Sequence, residues 1–259
     1  MKIFAMCMEC QKELGHPSFV PIIADYYEGS IAYIECNRKH KSALMLQSQK
    51  FEILMESAAN ALLEGYTLEA VSSFSAAYER FFEFAILVLC KKRGVVKKEL
   101  DLTFKQVSRQ SERQIGAFLF LHLLEFNCTY EINKKTVEFR NKVVHKGYIP
   151  TPKEAEDFAE KIYTEISGLS TKLKAQCGEQ INQVIMDGLQ EKNKKIPKGM
   201  PVATTSGTMF FSLVKEEENN FQNAIASYKE SQETIFGAVP YLKFLNKAVV
   251  VYKKFKNGL

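Results

Sequence analysis

Tryptophan is absent from the 259 residues, and cysteine, histidine, proline and glycine are scarce, at 6, 4, 7 and 13. So little glycine and proline excludes a collagen-like or low-complexity chain, and so little cysteine excludes a disulfide scaffold. Long apolar runs are missing too. The longest, Phe84 to Cys90, has seven residues, against the roughly 20 that a helix needs to cross a bilayer, so no membrane partner is expected. Met1 to Met6 is too short for the apolar stretch of a secretory signal, and the expected location is cytoplasmic. No internal repeat is visible, and Thr204-Thr205-Ser206-Gly207 lacks the Gly-x4-Gly-Lys-Ser/Thr pattern of a phosphate loop.

What is present is a globular composition, 46% apolar and 25% charged, whose aromatic content rests on 19 Phe and 11 Tyr. At about 150 residues per domain the length suggests one to two domains. The net charge of +5 is uneven: residues 1–50 hold 6 Lys/Arg and 5 Asp/Glu, residues 51–170 hold 16 and 17, and residues 171–259 hold 13 and 8. Basicity this weak permits a nucleic-acid partner without requiring one.

Turn residues and hydrophobic periodicity divide the chain into three. Residues 1–45 read as a small non-helical module, with turns at Gly15-His16-Pro17 and Gly29-Ser30 and a β-like run at Ile31 to Ile34. From there helical spacing takes over. Helices are expected over Ser48 to Leu63, from Thr67 to the cations before Gly94, over Phe104 to Phe126, over Lys134 to His145, and from Pro152 to Ile166. The second is the strongest, with Val71, Phe74, Tyr78, Phe81, Phe82, Ala85 and Leu89 on a core-facing stripe. Residues 46–170 are therefore expected to form an antiparallel helical bundle. Residues 171–259 read as a mostly helical extension, with a helix over Ser170 to Glu191, a loop at 192–201, a strand or helix start at Met209 to Val214, and two helices broken at Pro240.

The first chemical cluster is Cys7-x2-Cys10 with Cys36-x3-His40. Two close pairs of thiolate and imidazole ligands supply the edges of a tetrahedral zinc site, and four filled positions leave none open to water. Zinc is expected in a structural role, in a module resembling a zinc ribbon. The alternatives are a redox Cys-x2-Cys, three unrelated thiols, or His16 in place of His40.

The second cluster is Arg140-Asn141-x3-His145 on the fourth helix. Asn141 and His145 are about 40° apart around the helix axis, whereas Arg140 is about 140° from His145. One helix is therefore not expected to point Arg and His at one atom, although two copies around a two-fold axis would. Arginine offers a fork of donors to a phosphate, and histidine moves protons near neutral pH. On residue types alone, however, cations near a helix C-terminus more often serve the helix dipole.

Arg140-Asn141-x3-His145, followed by Gly147, Pro150-Thr151 and Lys153-Glu154-Ala155-Glu156, resembles the Arg-x4-6-His motif and following turn of the HEPN superfamily. Ala76 to Glu83 is similar to the first long helix of such domains. The resemblance covers about residues 48–170. It implies an all-α bundle that dimerises through the motif helix. It further implies a metal-independent endoribonuclease of toxin–antitoxin or phage-defence type, with RNA as substrate and an antitoxin or defence protein as possible partner. Carried over by position, Arg140 and His145 are the catalytic pair, Asn141 stands beside the Arg, and Glu83 matches an acid that holds it. The alternative is a non-catalytic binding module for RNA, a nucleotide or a protein.

Two basic turns, Lys91 to Lys98 and Lys192 to Lys198, read as RNA rails or as solvated helix ends, and His122 reads as buried.

Overall fold

The structure is a computed structural model that describes residues 2–5, 7–15, 22–26, 31–108, 110–205, 207–214 and 220–234. It is mainly helical. The elements run β1 (Lys2–Ala5), α1 (Met8–Leu14), β2 (Ile22–Asp25), β3 (Ile31–Glu35), β4 (Lys41–Leu46), α2 (Lys50–Leu63), α3 (Thr67–Lys92), α4 (Lys97–Val107), α5 (Ser111–Phe126), α6 (Lys134–Lys146), α7 (Pro152–Asn193) and β5 (Val202–Thr205). A further helix, α8, covers 221–234. None of the described helices is long and apolar enough to cross a membrane.

Contacts group the chain differently from its linear division into 1–45, 46–170 and 171–259. One unit gathers 1–47, 188–207 and 226–259, and the other 48–187 and 208–225. The regrouping has a hydrogen-bonding cause. β5 pairs in parallel with β4, Ala43 opposite Val202 through Leu46 opposite Thr205, and completes a sheet of order β3-β4-β5. Gly207 follows with φ +77, and a Cβ there would come within 2.4 Å of the Leu46 side chain. Residues 1–45 also contain a helix where none was expected. α1 forms because the Cys7 sulfur accepts the Cys10 N–H as an N-cap and Gly15 closes the helix in the left-handed region.

In the second unit, α3 packs against α2, α5 and α6. All seven residues of its expected core stripe are buried, from Val71 to Leu89. With no indole available, rings of Phe fill the centre: Phe51 lies edge-on to Phe81 at 5.2 Å, and Phe82 stacks at a tilt on Phe118 at 4.7 Å. The single helix expected over Phe104 to Phe126 is two, because Gln110 is extended (φ −136, ψ 119) and starts α5 afresh. The break expected between Ile166 and Ser170 is absent. Ile162, Ile166, Leu169, Leu173 and Cys177 carry the buried stripe straight past Gly168, and the one non-helical residue within α7 is Cys177 (φ −133, ψ 24).

Residues 209–214 form neither strand nor helix. They bury Phe210, Phe211 and Leu213, so their main-chain N–H groups need acceptors away from water. Two buried carboxylates on α2 supply them: Glu56 accepts from Met209 and Phe210, and Glu52 accepts from Leu213 at 2.8 Å. Truncating Glu56 to alanine would remove the carboxylate that accepts from the Met209 and Phe210 N–H groups. A loss of about 2–4 kcal/mol is expected in urea unfolding, and unchanged stability would show that these bonds are dispensable. Of the two helices expected after Val214, α8 is one, and Pro240 lies outside the described residues.

Candidate functional site

Cys7, Cys10, Cys36 and His40 converge. Their ligand atoms all lie within 4.8 Å of one another, so the four could hold a metal ion. α1 presents Cys7 and Cys10, and the turn between β3 and β4 presents Cys36 and His40. The second pair thus sits on a hairpin as in a ribbon, while the first sits at the start of a helix. His16, the alternative ligand, lies outside the described residues.

The separations fit one central ion. Cys10 Sγ to Cys36 Sγ is 3.7 Å, and His40 Nδ1 is 3.4 Å from Cys10 Sγ and 3.6 Å from Cys7 Sγ. Tetrahedral coordination with ordinary zinc bond lengths requires about 3.8 Å between sulfurs and about 3.6 Å between sulfur and nitrogen. A disulfide would need about 2 Å, and all six cysteines are free. The three ligand thiols are buried, which shields such a centre from competing ligands.

Main-chain N–H groups support the sulfurs. Cys7 accepts from Cys10 at 3.5 Å, and Cys36 from Arg38 at 3.3 Å, in a turn that puts Lys39 at φ 68. Burial and the adjacent thiols push Cys10 up to about 12. Burial alone would raise Cys36 as well, but N–H donors from His40 and Arg38 hold it below the ordinary thiol value.

Sequence reasoning missed Glu13. Its carboxylate takes His40 Nε2 at 3.1 Å and Arg38 at 2.7 Å, which fixes the imidazole with Nδ1 facing the sulfurs. The available signal was its position, one turn after Cys10 on the same short helix. Glu13→Ala is expected to weaken metal affinity about 10- to 100-fold, as read by competition with a chromogenic chelator. An unchanged affinity would remove Glu13 from the site.

The second constellation sits on α6, which Asn133 caps through its side chain and Gly147 ends at φ 66. The expectation that one helix keeps Arg140 and His145 apart does not hold. Arg140 Nη1 is 2.8 Å from His145 Nε2 within a single chain and 2.9 Å from Asn141 Oδ1. The Cα positions do diverge around the helix axis, but the long arginine side chain spans the gap. Because arginine only donates, Nε2 is the acceptor of this contact.

Glu83 does not hold the arginine. Arg140 Nη2 donates to Glu79 Oε1 at 2.6 Å, and Glu83 pairs instead with Arg80 at 2.7 Å. Glu79 and Arg140 are about three-quarters buried, so their pair is shielded, whereas His145 is exposed. Among the described residues, Arg140 Nε–H and its second Nη2 hydrogen have no acceptor. Arg140 therefore keeps donors free for an anion while three partners fix its plane.

The first basic turn is internally paired and offers no continuous rail. Lys91 binds Asp187 at 2.6 Å, Lys92 binds Glu125 at 2.5 Å, and Arg93 binds the Leu124 carbonyl at 2.6 Å. In the second, Lys192 donates to the Leu46 carbonyl and Lys194 pairs with Glu191. His122 is buried and donates its Nδ1–H to the Cys128 carbonyl, and burial lowers its pKa.

No family model, curated protein or solved structure matches this chain.

Proposed function

We propose that the chain is a metal-independent endoribonuclease of HEPN type, acting as a homodimer in toxin or phage-defence activity, with zinc as a structural ion. The observation that carries this reading is the convergence of Arg140, Asn141 and His145 on one helix, with Arg140 clamped by Glu79. Arg140 binds the scissile phosphate and stabilises its developing charge, while His145 moves the proton of the attacking 2′-hydroxyl. A second copy fits along α5 and α6, where Phe120, Leu124, Val144 and Ile149 stand exposed at 72, 62, 40 and 72%. Three thiolates and an imidazole at these separations suit zinc, and with four protein ligands the ion would hold residues 1–47 together without taking part in cleavage.

The test incubates RNA with the full chain in the presence of a chelator. Cleavage by the wild type, and its loss in Arg140→Ala and His145→Ala with the helical signal intact, is the expected result. Cleavage persisting in both variants would sink the proposal. One observation favours a binding module instead: His145 is exposed and its Nε2 is already engaged by Arg140. In that case wild type and variants differ in RNA retention and none of them cuts.

A further inference from the structure

Beside Arg140 lies a cleft of about 70 Å³, enclosed by α3, α5, α6 and the start of α7. Ile115, Val137, Phe158 and Ile162 give it apolar walls, and Arg140 and Asn141 stand on its α6 side. A buried water needs about 10–15 Å³ on the same scale, so the cleft has room for about five. That suits a six-membered ring with its substituents better than a purine bicycle.

Four polar residues of the cleft have capacity to spare, whereas Ser75, Tyr78 and Glu79 on its α3 side are already bonded, to the Val71 carbonyl, to Tyr130 and Glu165, and to Arg140. Ser111 and Glu112, in the first turn of α5, line it and make no hydrogen bond or ion pair through their side chains among the described residues. Asn141 has spent Oδ1 on Arg140, which leaves its amide N–H groups to donate. Thr136 is 6% exposed, and its hydroxyl has no partner although it lines the same cleft. An apolar slot with a free carboxylate at one side and free donors at another complements a flat ring that carries both an amino group and a carbonyl.

We propose that this cleft is a base-selecting site that seats a cytosine of the RNA strand whose phosphate rests on Arg140. The ring lies between the aliphatic walls, its 4-amino group donates to Glu112, and Asn141 donates to the acceptors on its other edge. Glutamate accepting from the cytosine amino group is a direct mode of base readout. Uracil is disfavoured because its O4 would face the carboxylate with no donor between them. The assignment rests on Arg140 as the phosphate contact but does not require that the strand be cut.

Calorimetric titration of the full chain with cytidine 3′-monophosphate, uridine 3′-monophosphate and ribose phosphate lacking a base tests it. Cytidine is expected to bind about tenfold tighter than uridine, and the baseless phosphate weakest. Glu112→Gln, which can donate to O4, should erase or reverse the preference for cytidine. Ile115→Phe should fill the cleft and bring both nucleotides down to the baseless phosphate. Should that variant fail to fold, Val137→Trp blocks the opposite wall from a partly exposed position. Equal binding of all three ligands to the wild type overturns the proposal, as does a Glu112→Gln chain that keeps the cytidine preference. RNA cutting without cytidine preference overturns the cleft and leaves the nuclease standing. Cytidine preference without cutting does the reverse.

Discussion

A Cys10→Ser chain is expected to purify without zinc and without the folded sheet of residues 31–46, whereas the wild type carries one zinc per chain. Cys10 is buried and sits against two of the other ligands, 3.4 Å from His40 and 3.7 Å from Cys36. Few apolar groups surround the thiols themselves. The buried cluster around the site consists of the three thiols themselves, with Leu14 and Ile22 packed at its edge. Structural zinc contributes an apparent 10–16 kcal/mol to the folding of such small units, as much as the whole stability of an ordinary domain. The helices from α2 to α6 draw on their own Phe core and should keep most of the helical signal. Metal content by mass spectrometry and amide exchange over residues 31–46 read the two effects. Wild-type protein with no metal, or a serine variant that keeps both zinc and exchange protection, would overturn the assignment.

The two sites were legible to different depths, and the reason is the range of the interactions involved. Ligand spacing is a local property, so Cys7, Cys10, Cys36 and His40 could be read together from the chain. Glu13 could not, because its role depends on α1 existing, and α1 depends on Cys7 acting as an N-cap. The core stripe of α3 was equally readable, since seven apolar positions at helical spacing leave one face to bury. The partner of Arg140 was offset by one turn. Glu79 and Glu83 are four residues apart and share a face of α3, and only the packing of α6 against α3 selects between them.

β5 illustrates the opposite limit. Val202 to Thr205 alternate between half-buried and exposed, but nothing local says that they pair with a strand more than 150 residues away. The same holds for 209–214, whose lack of regular structure is tolerated because Glu52 and Glu56 reach across to its N–H groups. Sequence periodicity detects elements that satisfy their own main chain. It is silent where a distant strand, as for β5, or side chains from elsewhere, as for 209–214, do so.

Arg140→Lys is expected to lose as much RNA cleavage as Arg140→Ala, about 10²- to 10³-fold, the cost of removing a donor aimed at developing charge. A lysine keeps the charge, so a site needing only a cation near the phosphate would keep most of its rate. In the proposed site the fork itself is needed. Nη1 serves Asn141 and His145 at 2.9 and 2.8 Å, and Nη2 serves Glu79 at 2.6 Å, so the guanidinium plane is fixed before substrate arrives. One ammonium on a flexible stem cannot hold those three partners and a phosphate together. Glu79→Gln should fall between, because the amide still accepts from Nη2 but no longer offsets the charge of Arg140. A lysine variant with near wild-type turnover would show that position 140 supplies charge alone, and the geometry around it would then need another purpose.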